Sequence, residues 1–331
     1  MPDYIPLIPD VPQGVQEAAQ LGNLVPFIGA GVSRLAGCPS WIGFADGALQ
    51  LLIRTGNLSY SEYDQIKDLN PRVKISLARA LAKEKGVAID YRALLHTVPK
   101  HEHKDGCDLY SNLFRLGNVF VTTNYDEWLD DDRIPQSTPL ARPENVDSTQ
   151  LNRMRVVYKV EEFLPSLLSR PKTVVHLHGS VNEPEKMILT TQDYLRHYAN
   201  DRWSTNRGQE NQVLTMLEEL FRNKTILFIG YGLEEMEILE YAISKASTRE
   251  YGKKREQHYM LRGFLSHEYS LSQSLASYYM NEFGIKMVSF NRDERDWSQL
   301  TNVIEKWASD IPASEPLISL KKQEMESWLD E

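Results

Sequence analysis

A short glycine-rich segment directly after an apolar run is the first part of the sequence whose residue types suit ligand binding. The run is Leu24–Ile28, and Gly-Ala-Gly at 29–31 with Ser33 follows it. Glycines let a backbone approach a phosphate closely, and the N–H groups at the start of a following helix favour an anion. A tight βα turn without a ligand is the alternative, because Arg34 stands where the ordinary dinucleotide fingerprint has a glycine or alanine.

Two polar side chains follow a second apolar run. Asn124 and Asp126 come after the run 119–123. Ligands of open α/β sheets bind beyond the carboxyl ends of the strands, and period-2 geometry would place both side chains on one face. Asn and Asp are also favoured in Asx turns and at helix N-caps, so a purely structural role is the alternative.

A histidine directly follows a third apolar run. His178 follows the run 173–177 and precedes Gly179. A histidine in this position can act as a general base or polarise a ribose hydroxyl. His176 is predicted to share its face, which makes a metal pair conceivable, but no third ligand stands at a typical spacing.

The fourth segment is Gly-Tyr-Gly at 230–232, after the run Thr225–Ile229. It is a second place where backbone can cradle a ligand, and a connecting loop without a ligand would look the same. Two other polar clusters, at 101–107 and in the acidic run 130–132, are interpreted as solvated.

The elements that must position these residues form an α/β pattern. Short apolar runs alternate with amphipathic stretches, which predicts a Rossmann-like parallel sheet with helices on both faces. Further strands are predicted at 258–261 and 285–290, and helices near 213–221, 233–245 and 271–283.

One domain is predicted to hold all four segments. The stretch of about 59–116 shows helical patterns and no strong strand, so we predict an inserted helical subdomain there. The stretch of about 130–155 contains three prolines and is predicted to be an irregular surface excursion. We therefore predict a catalytic domain over 1–312 and a C-terminal tail over 313–331.

Composition limits the function classes. The 331 residues carry a formal charge of −9, and the sequence pI is about 5.5, which disfavours direct nucleic-acid binding and anionic membrane surfaces. No apolar run approaches the ~20 residues that span a bilayer, and the N-terminus lacks a secretory signal pattern. Two cysteines exclude a disulfide framework and a four-cysteine zinc site. The expected location is cytoplasmic.

In this order, the four segments resemble the sirtuin superfamily. The first matches the pattern GAGxSxxxGxPxF, with Trp41 at the aromatic position. Thr-Asn-Tyr-Asp at 123–126 resembles the family's Gln-Asn-Ile-Asp, and His178 resembles its catalytic histidine. The loop 230–232 takes the place of its Gly-Thr-Ser loop. Asn291 resembles the asparagine that approaches adenine.

The resemblance implies roles for these residues toward NAD. Asn124 would hold the ribose or the attacking water, Asp126 the carboxamide, and His178 the ribose hydroxyls as general base, so Asn124 and His178 would be catalytic. The backbone of 29–31, with Ser33, would take the pyrophosphate. The implied binding residues are Gly29, Ala30, Gly31, Ser33, Trp41, Asp126, Gly230, Tyr231 and Asn291.

The sequence also departs from the protein-deacetylating sirtuins. It cannot form their zinc ribbon, so no metal is expected, and Ser-Trp-Ile at 40–42 replaces their Asp-Phe-Arg, which removes a basic side chain. This combination looks like the prokaryotic defence-associated sirtuin-like proteins. That resemblance implies NAD hydrolysis to ADP-ribose and nicotinamide, which depletes NAD in an infected cell. It also implies a homo-oligomer with a protein partner such as a HerA-type ATPase or an Argonaute.

Two other hypotheses stay open. The same pocket would serve a sensor that binds NAD or an ADP-ribose-type nucleotide and gates a partner without turnover. The third hypothesis is a deacylase or ADP-ribosyltransferase of unusual architecture. Asn124 and His178 together favour an enzyme over a sensor, because binding alone does not require a general base.

Overall fold

A seven-stranded, fully parallel sheet forms the centre of the protein in the computed structural model, which describes residues 4–131, 154–198, 211–232 and 258–311. The spatial order of the strands is β3-β4-β2-β1-β5-β6-β7. The strands are β1 (Leu24–Ile28), β2 (Val119–Thr122), β3 (Arg155–Val157), β4 (Thr173–His176), β5 (Thr225–Ile229), β6 (His258–Phe264) and β7 (Ile285–Asn291).

Helices cover both faces of this sheet, which confirms the predicted α/β class. They are α1 (Gln13–Gln20), α2 (Ala30–Leu35), α3 (Trp41–Arg54), α4 (Tyr60–Ile66), α5 (Pro71–Lys85), α6 (Tyr91–Leu95), α7 (Lys104–Leu113), α8 (Thr191–His197), α9 (Gln212–Asn223), α10 (Tyr269–Phe283) and α11 (Gln299–Asp310). Short 3₁₀ turns join several of them.

Period-2 alternation in the strands divides the core between the two faces. In β1, Leu24 and Ile28 pack with α1, α7 and α11, while Val25 and Phe27 pack with α9 and α10. Every residue of β1, β2 and β4 is buried, as expected for strands covered on both sides. The six predicted apolar runs are confirmed as strands.

β3 is the strand that the sequence pattern did not predict. It has three residues, only Val157 of them is buried, and it lies at the edge of the sheet. Its first residue, Arg155, falls at the end of the predicted irregular excursion. A strand this short at an edge leaves too little apolar periodicity to be recognised.

The helical subdomain has its own hydrophobic cluster, formed around Phe44, Leu49 and Ile75 of α3 and α5. The stretch 59–116 forms helices, as the pattern predicts. The hydrophobic clusters, however, place the limits of the helical subdomain at other residues. Helix α3 joins the subdomain, whereas α7 packs on the sheet through Leu109 and Leu113.

Helix α7 also changes the interpretation of the polar cluster 101–107. A helix begins at Lys104 where a polar loop was expected, and Cys107 is buried in it. The ring of His103 packs against Gly37 rather than lying in solvent. The predicted helix at 233–245, the tail 313–331 and most of the excursion lie outside the described residues.

The order of the strands places a switch in connectivity at β1. From β1 the chain continues to β2 on one side, and β5 joins β1 on the other side. Open α/β sheets bind ligands in the crevice at the carboxyl ends of the strands that flank such a switch. The loops after β1 and β5 meet at this point. None of the described helices is both long and apolar enough to cross a membrane.

Candidate active site

The two glycine-rich segments are in direct contact at the carboxyl ends of β1 and β5. The N–H of Gly29 donates to the carbonyl oxygen of Ile229 at 2.9 Å, and the N–H of Gly31 donates to that of Gly230 at 2.8 Å. A Cβ on Gly29 would lie 2.6 Å from the Gly230 oxygen, and one on Gly230 would lie 2.6 Å from the Val32 nitrogen. The absence of side chains therefore allows the two loops to pack backbone against backbone.

Substituting Gly230 with alanine is expected to cost more stability than the same change at Gly284. Both glycines have a left-handed backbone, with φ of +64° and +67°, so the conformational penalty is shared. Gly284 has open space where Gly230 meets backbone, and such overpacking costs roughly 1–3 kcal/mol. Denaturant unfolding of both variants measures this difference. Equal losses would contradict the close contact of the two loops.

Asn124 follows β2 and is held by hydrogen bonds in several directions. Its backbone N–H donates to Thr122 Oγ1 at 3.0 Å. Its side-chain Nδ2 donates to the Gly29 carbonyl oxygen at 3.1 Å and to Ser33 Oγ at 2.7 Å. Because a backbone carbonyl only accepts hydrogen bonds, the atom that faces Gly29 must be the amide nitrogen. This contact fixes the orientation of the Asn124 side chain.

The hydrogen bonds then run in one direction from Asn124 to Asp126. Ser33 Oγ accepts from Asn124 and donates its own hydrogen to Asp126 Oδ2 at 2.5 Å. The other carboxylate oxygen of Asp126 accepts the Trp128 backbone N–H at 3.1 Å. The three side chains are buried. Within the part of the chain that the structure describes, the side-chain Oδ1 of Asn124 has no hydrogen-bond partner.

In this network, Ser33 and Asp126 orient the side chain of Asn124. The Ser33 hydroxyl lies between two side chains rather than facing outward, so its assignment to the pyrophosphate stays a prediction. Asp126 orients Ser33, and through it Asn124. Each carboxylate oxygen can accept a second hydrogen bond, so the assignment of Asp126 to the carboxamide also stays a prediction.

His178 lies just after β4 and is 1% exposed. Both of its ring nitrogens face tyrosine hydroxyls, with Tyr198 Oη 2.9 Å from Nε2 and Tyr194 Oη 3.3 Å from Nδ1. Burial, with smaller effects from His197 and Arg72, holds the pKa of His178 well below its usual range. His178 is therefore neutral near pH 7, which is the state that can accept a proton.

An aromatic contact connects His178 with Trp41. The Tyr125 ring centre is 6.3 Å from that of His178 and 6.0 Å from that of Trp41. Trp41 also stacks on Phe44 at 5.7 Å. Trp41, which the resemblance implies as a binding residue, thus lies at the start of α3, where the helical subdomain meets the loop after β2.

Two other predicted residues lie away from the Asn124 network. The Tyr231 ring is buried against Phe27 and Phe228, with ring centres 5.3 and 5.5 Å away, so a role of Tyr231 toward a ligand stays a prediction. Asn291 ends β7, and its Nδ2 donates to Ser266 Oγ at 2.7 Å. β7 is three strands from β1, about 14 Å at the usual strand spacing. A ligand that contacts both would have to be extended.

His176 and His178 do not form a metal pair. His176 contacts the Asn124 carbonyl oxygen and Asp130, whereas His178 contacts the two tyrosines. No group of three histidine, cysteine or acidic side chains among the described residues is arranged to hold a metal ion. The interpretation of Asp130 as part of a solvated charge run is wrong, because its carboxylate is 14% exposed and paired with His176.

Sequence reasoning missed the side chains that surround the predicted residues. Tyr194 lies on α8, and Tyr198 follows its last residue. A spacing of four predicts that both rings lie on one helix face, but it does not predict that this face packs on His178. Lys100 places its Nζ 5.3 Å from the centre of the Trp128 ring. Burial lowers the pKa of Lys100, partly offset by Asp126 and other carboxylates. A basic side chain thus approaches Asp126 from a segment where no motif predicted one.

Fold and site together define an α/β protein with a buried polar network at the switch point of a parallel sheet, where sheets of this kind bind ligands. The SIR2-like domain model matches residues 118–286, just over half of the chain, and the chain belongs to this family. The chain is also similar to Defense-associated sirtuin 2 of Bacillus subtilis, with 24% identity over 231 residues. That alignment covers 68% of this chain and 19% of the relative. The chain therefore spans about a fifth of the length of this relative.

Proposed function

We propose that the chain is an NAD glycohydrolase that acts in antiphage defence by depleting NAD. The proposal rests on the oriented network that ends on Asn124, whose Oδ1 has no hydrogen-bond partner among the described residues, at the end of the sheet where such folds bind ligands. Membership of the SIR2-like family supports NAD as the substrate, and the name of the Bacillus subtilis relative supports a role in defence.

The proposed reaction breaks the bond between nicotinamide and ribose. The bonding electrons leave with nicotinamide, positive charge develops at the anomeric carbon, and water adds there to give ADP-ribose and a proton. A rigid acceptor on one side of the ribose accelerates such a step, because it holds a water or a hydroxyl in a reactive orientation. Asn124 Oδ1 is that acceptor, since its amide nitrogen is committed to Gly29 and Ser33.

His178 takes the proton in this mechanism. Its ring is neutral near pH 7 and lies against two tyrosine hydroxyls, which can pass on a proton or yield their places to substrate hydroxyls. The backbone of 29–31 would face the pyrophosphate. The absence of a Cβ at Gly29 and Gly31 lets this segment pack against the backbone of Gly230, beside the proposed pyrophosphate position.

Product analysis tests the proposed reaction. Pure protein is incubated with NAD, and nicotinamide and ADP-ribose are quantified by chromatography. Equimolar release of both supports hydrolysis. Nicotinamide release that requires an acylated or nucleophilic protein acceptor would identify a deacylase or an ADP-ribosyltransferase instead.

A nucleotide sensor is the second candidate function, and the enclosure of His178 favours it. With both ring nitrogens in contact with tyrosines and 1% exposure, His178 is closed to a substrate in this conformation. A binding module would need no further movement there. Such a sensor would bind NAD or an ADP-ribose-type nucleotide and return it unchanged.

We further propose that the protein works as a homo-oligomer whose activity depends on assembly, with a HerA-type ATPase or an Argonaute as the kind of partner. An unregulated NAD hydrolase would deplete its own cell, so activity must be controlled. The helical subdomain leaves apolar side chains exposed that association would cover, including Ile42, Tyr60 and Val73.

Light scattering with a parallel activity assay tests assembly. We expect a closed oligomer at micromolar concentration, and turnover per subunit that falls on dilution as the oligomer dissociates. A monomer that is fully active without any partner would contradict this prediction.

Exhaustive chelation is expected to leave both the melting temperature and NAD cleavage unchanged. Two cysteines cannot supply a zinc ribbon, and a structural zinc would contribute to folding directly. Thermal melts and nicotinamide release before and after chelation make the comparison. Stoichiometric zinc by elemental analysis would contradict the prediction and direct attention to His101, His103 and Cys107.

A further inference from the structure

The ring of His176 joins the end of β4 to the backbone of Asn124. His176 is the last residue of β4, and its side chain is fully buried. Nδ1 lies 3.0 Å from the carbonyl oxygen of Asn124, and Nε2 lies 2.8 Å from Asp130 Oδ1. The ring therefore contacts the residue that the mechanism depends on, although the sequence pattern gives His176 no role toward Asn124.

The two contacts make the ring a donor at both nitrogens. A carbonyl oxygen only accepts, so Nδ1 carries a hydrogen, and a carboxylate at Nε2 favours a hydrogen there as well. The second oxygen of Asp130 accepts from Asn182 Nδ2 at 3.3 Å. Burial lowers the pKa of His176, but Asp130, the Asn124 carbonyl and Asp126 together raise it more, so the net shift is upward.

Simple cross-linking of the two loops does not require this histidine. The N–H of Leu177 donates to the Thr122 carbonyl oxygen at 2.8 Å, and the N–H of Val181 donates to that of Tyr125 at 2.9 Å. These backbone bonds already join the loop after β2 to the segment after β4. The contribution of His176 beyond them is its hydrogen bond to the carbonyl group of Asn124.

We propose that His176 is a positioning residue for Asn124, whose backbone carbonyl it holds so that the side-chain Oδ1 faces the substrate. The proposal rests on the proposed cleavage of NAD. Thr122 holds the N–H of Asn124, Gly29 and Ser33 hold its amide nitrogen, and His176 holds its carbonyl oxygen. Removing the last of these contacts loosens the peptide group after Asn124, and the position of Oδ1 then depends on the bonds of Nδ2 alone.

Two substitutions separate the contacts of the ring. The amide nitrogen of asparagine can take the place of Nδ1, so His176→Asn keeps the donor to Asn124 and loses Asp130. The longer glutamine reaches the place of Nε2, so His176→Gln keeps the contact to Asp130 and loses the donor. We expect His176→Asn to retain kcat within about threefold and His176→Gln to lose about tenfold to a hundredfold, with KM changing less.

Stability is measured in parallel, because both variants alter a buried site. Trp307→Phe serves as the control, since it removes the buried hydrogen bond from Trp307 Nε1 to the Pro9 carbonyl oxygen. It should lower the melting temperature and leave kcat unchanged. Equal losses of kcat in His176→Asn and His176→Gln, in step with stability, would show a structural role only and overturn the proposal.

Calorimetric NAD binding distinguishes this proposal from the proposed function. A wild-type protein that binds NAD without cleaving it would contradict hydrolysis alone. Positioning of Asn124 then predicts that His176→Gln weakens NAD binding more than His176→Asn does. Unchanged affinity in both variants of such a protein would overturn the positioning role as well.

Discussion

Replacing Asn124 with alanine is expected to lower kcat/KM for NAD cleavage by about a hundredfold or more, because it removes an oriented group at the reacting centre. In the wild-type protein Oδ1 is fixed in place by the bonds of Nδ2 to Gly29 and Ser33. Nicotinamide release at subsaturating NAD measures the change.

Asn124→Asp is the matched variant. It keeps the shape of the side chain but places a carboxylate oxygen against the Gly29 carbonyl, where only a donor fits. It should therefore lose activity as well, although an acceptor for the substrate remains. Full activity in Asn124→Ala, in a protein that still melts cooperatively, would remove Asn124 from the mechanism.

Replacing His178 with alanine is also expected to have a large effect. It should lower kcat by about a hundredfold or more, because general-base catalysis contributes a factor of this size. Tyr198→Phe tests the partner of Nε2, since it removes the hydroxyl and keeps the ring. If the hydroxyl only shields His178, Tyr198→Phe should retain activity. Turnover like that of the wild type in His178→Ala would exclude a general base at this position.

The pH profile follows from the same ring. The pKa of His178 is held below its usual range, so the neutral form persists as the pH falls through about 6.5. The acid limb of kcat/KM should therefore lie well below pH 6.5. A depressed histidine pKa also means that stability is lost as the pH falls below the unfolded value, so the profile must be restricted to pH values at which the protein is folded. An acid limb centred at 6.5 would contradict the buried, neutral histidine.

The strands that carry the site could be predicted because burial on both faces leaves a readable pattern. LVPFI and TILFI are continuous apolar runs, and the structure forms β1 and β5 from these same residues. Their adjacency follows from the order of the strands rather than from either run. β3 escaped prediction because three residues at an edge carry almost no periodic signal.

The contacts within the site could not be predicted, because they join distant parts of the chain. Ser33 meets Asn124 and Asp126 across more than ninety residues. The resemblance implies that Ser33 helps to bind the pyrophosphate, and the fold adds contacts of its hydroxyl with Asn124 and Asp126 that no motif predicts. Asp130 was interpreted as solvated because it begins a run of acidic residues, and only the tertiary fold brings it to His176.

The decisive experiment for NAD hydrolysis through Asn124 measures nicotinamide release and NAD binding in parallel, for the wild-type protein and Asn124→Ala, at a concentration where the protein is assembled. The wild-type protein should release nicotinamide and ADP-ribose in equal amounts, whereas Asn124→Ala should bind NAD but release about a hundredth as much or less. A wild-type protein that binds NAD and returns it intact would contradict the claim and identify a sensor.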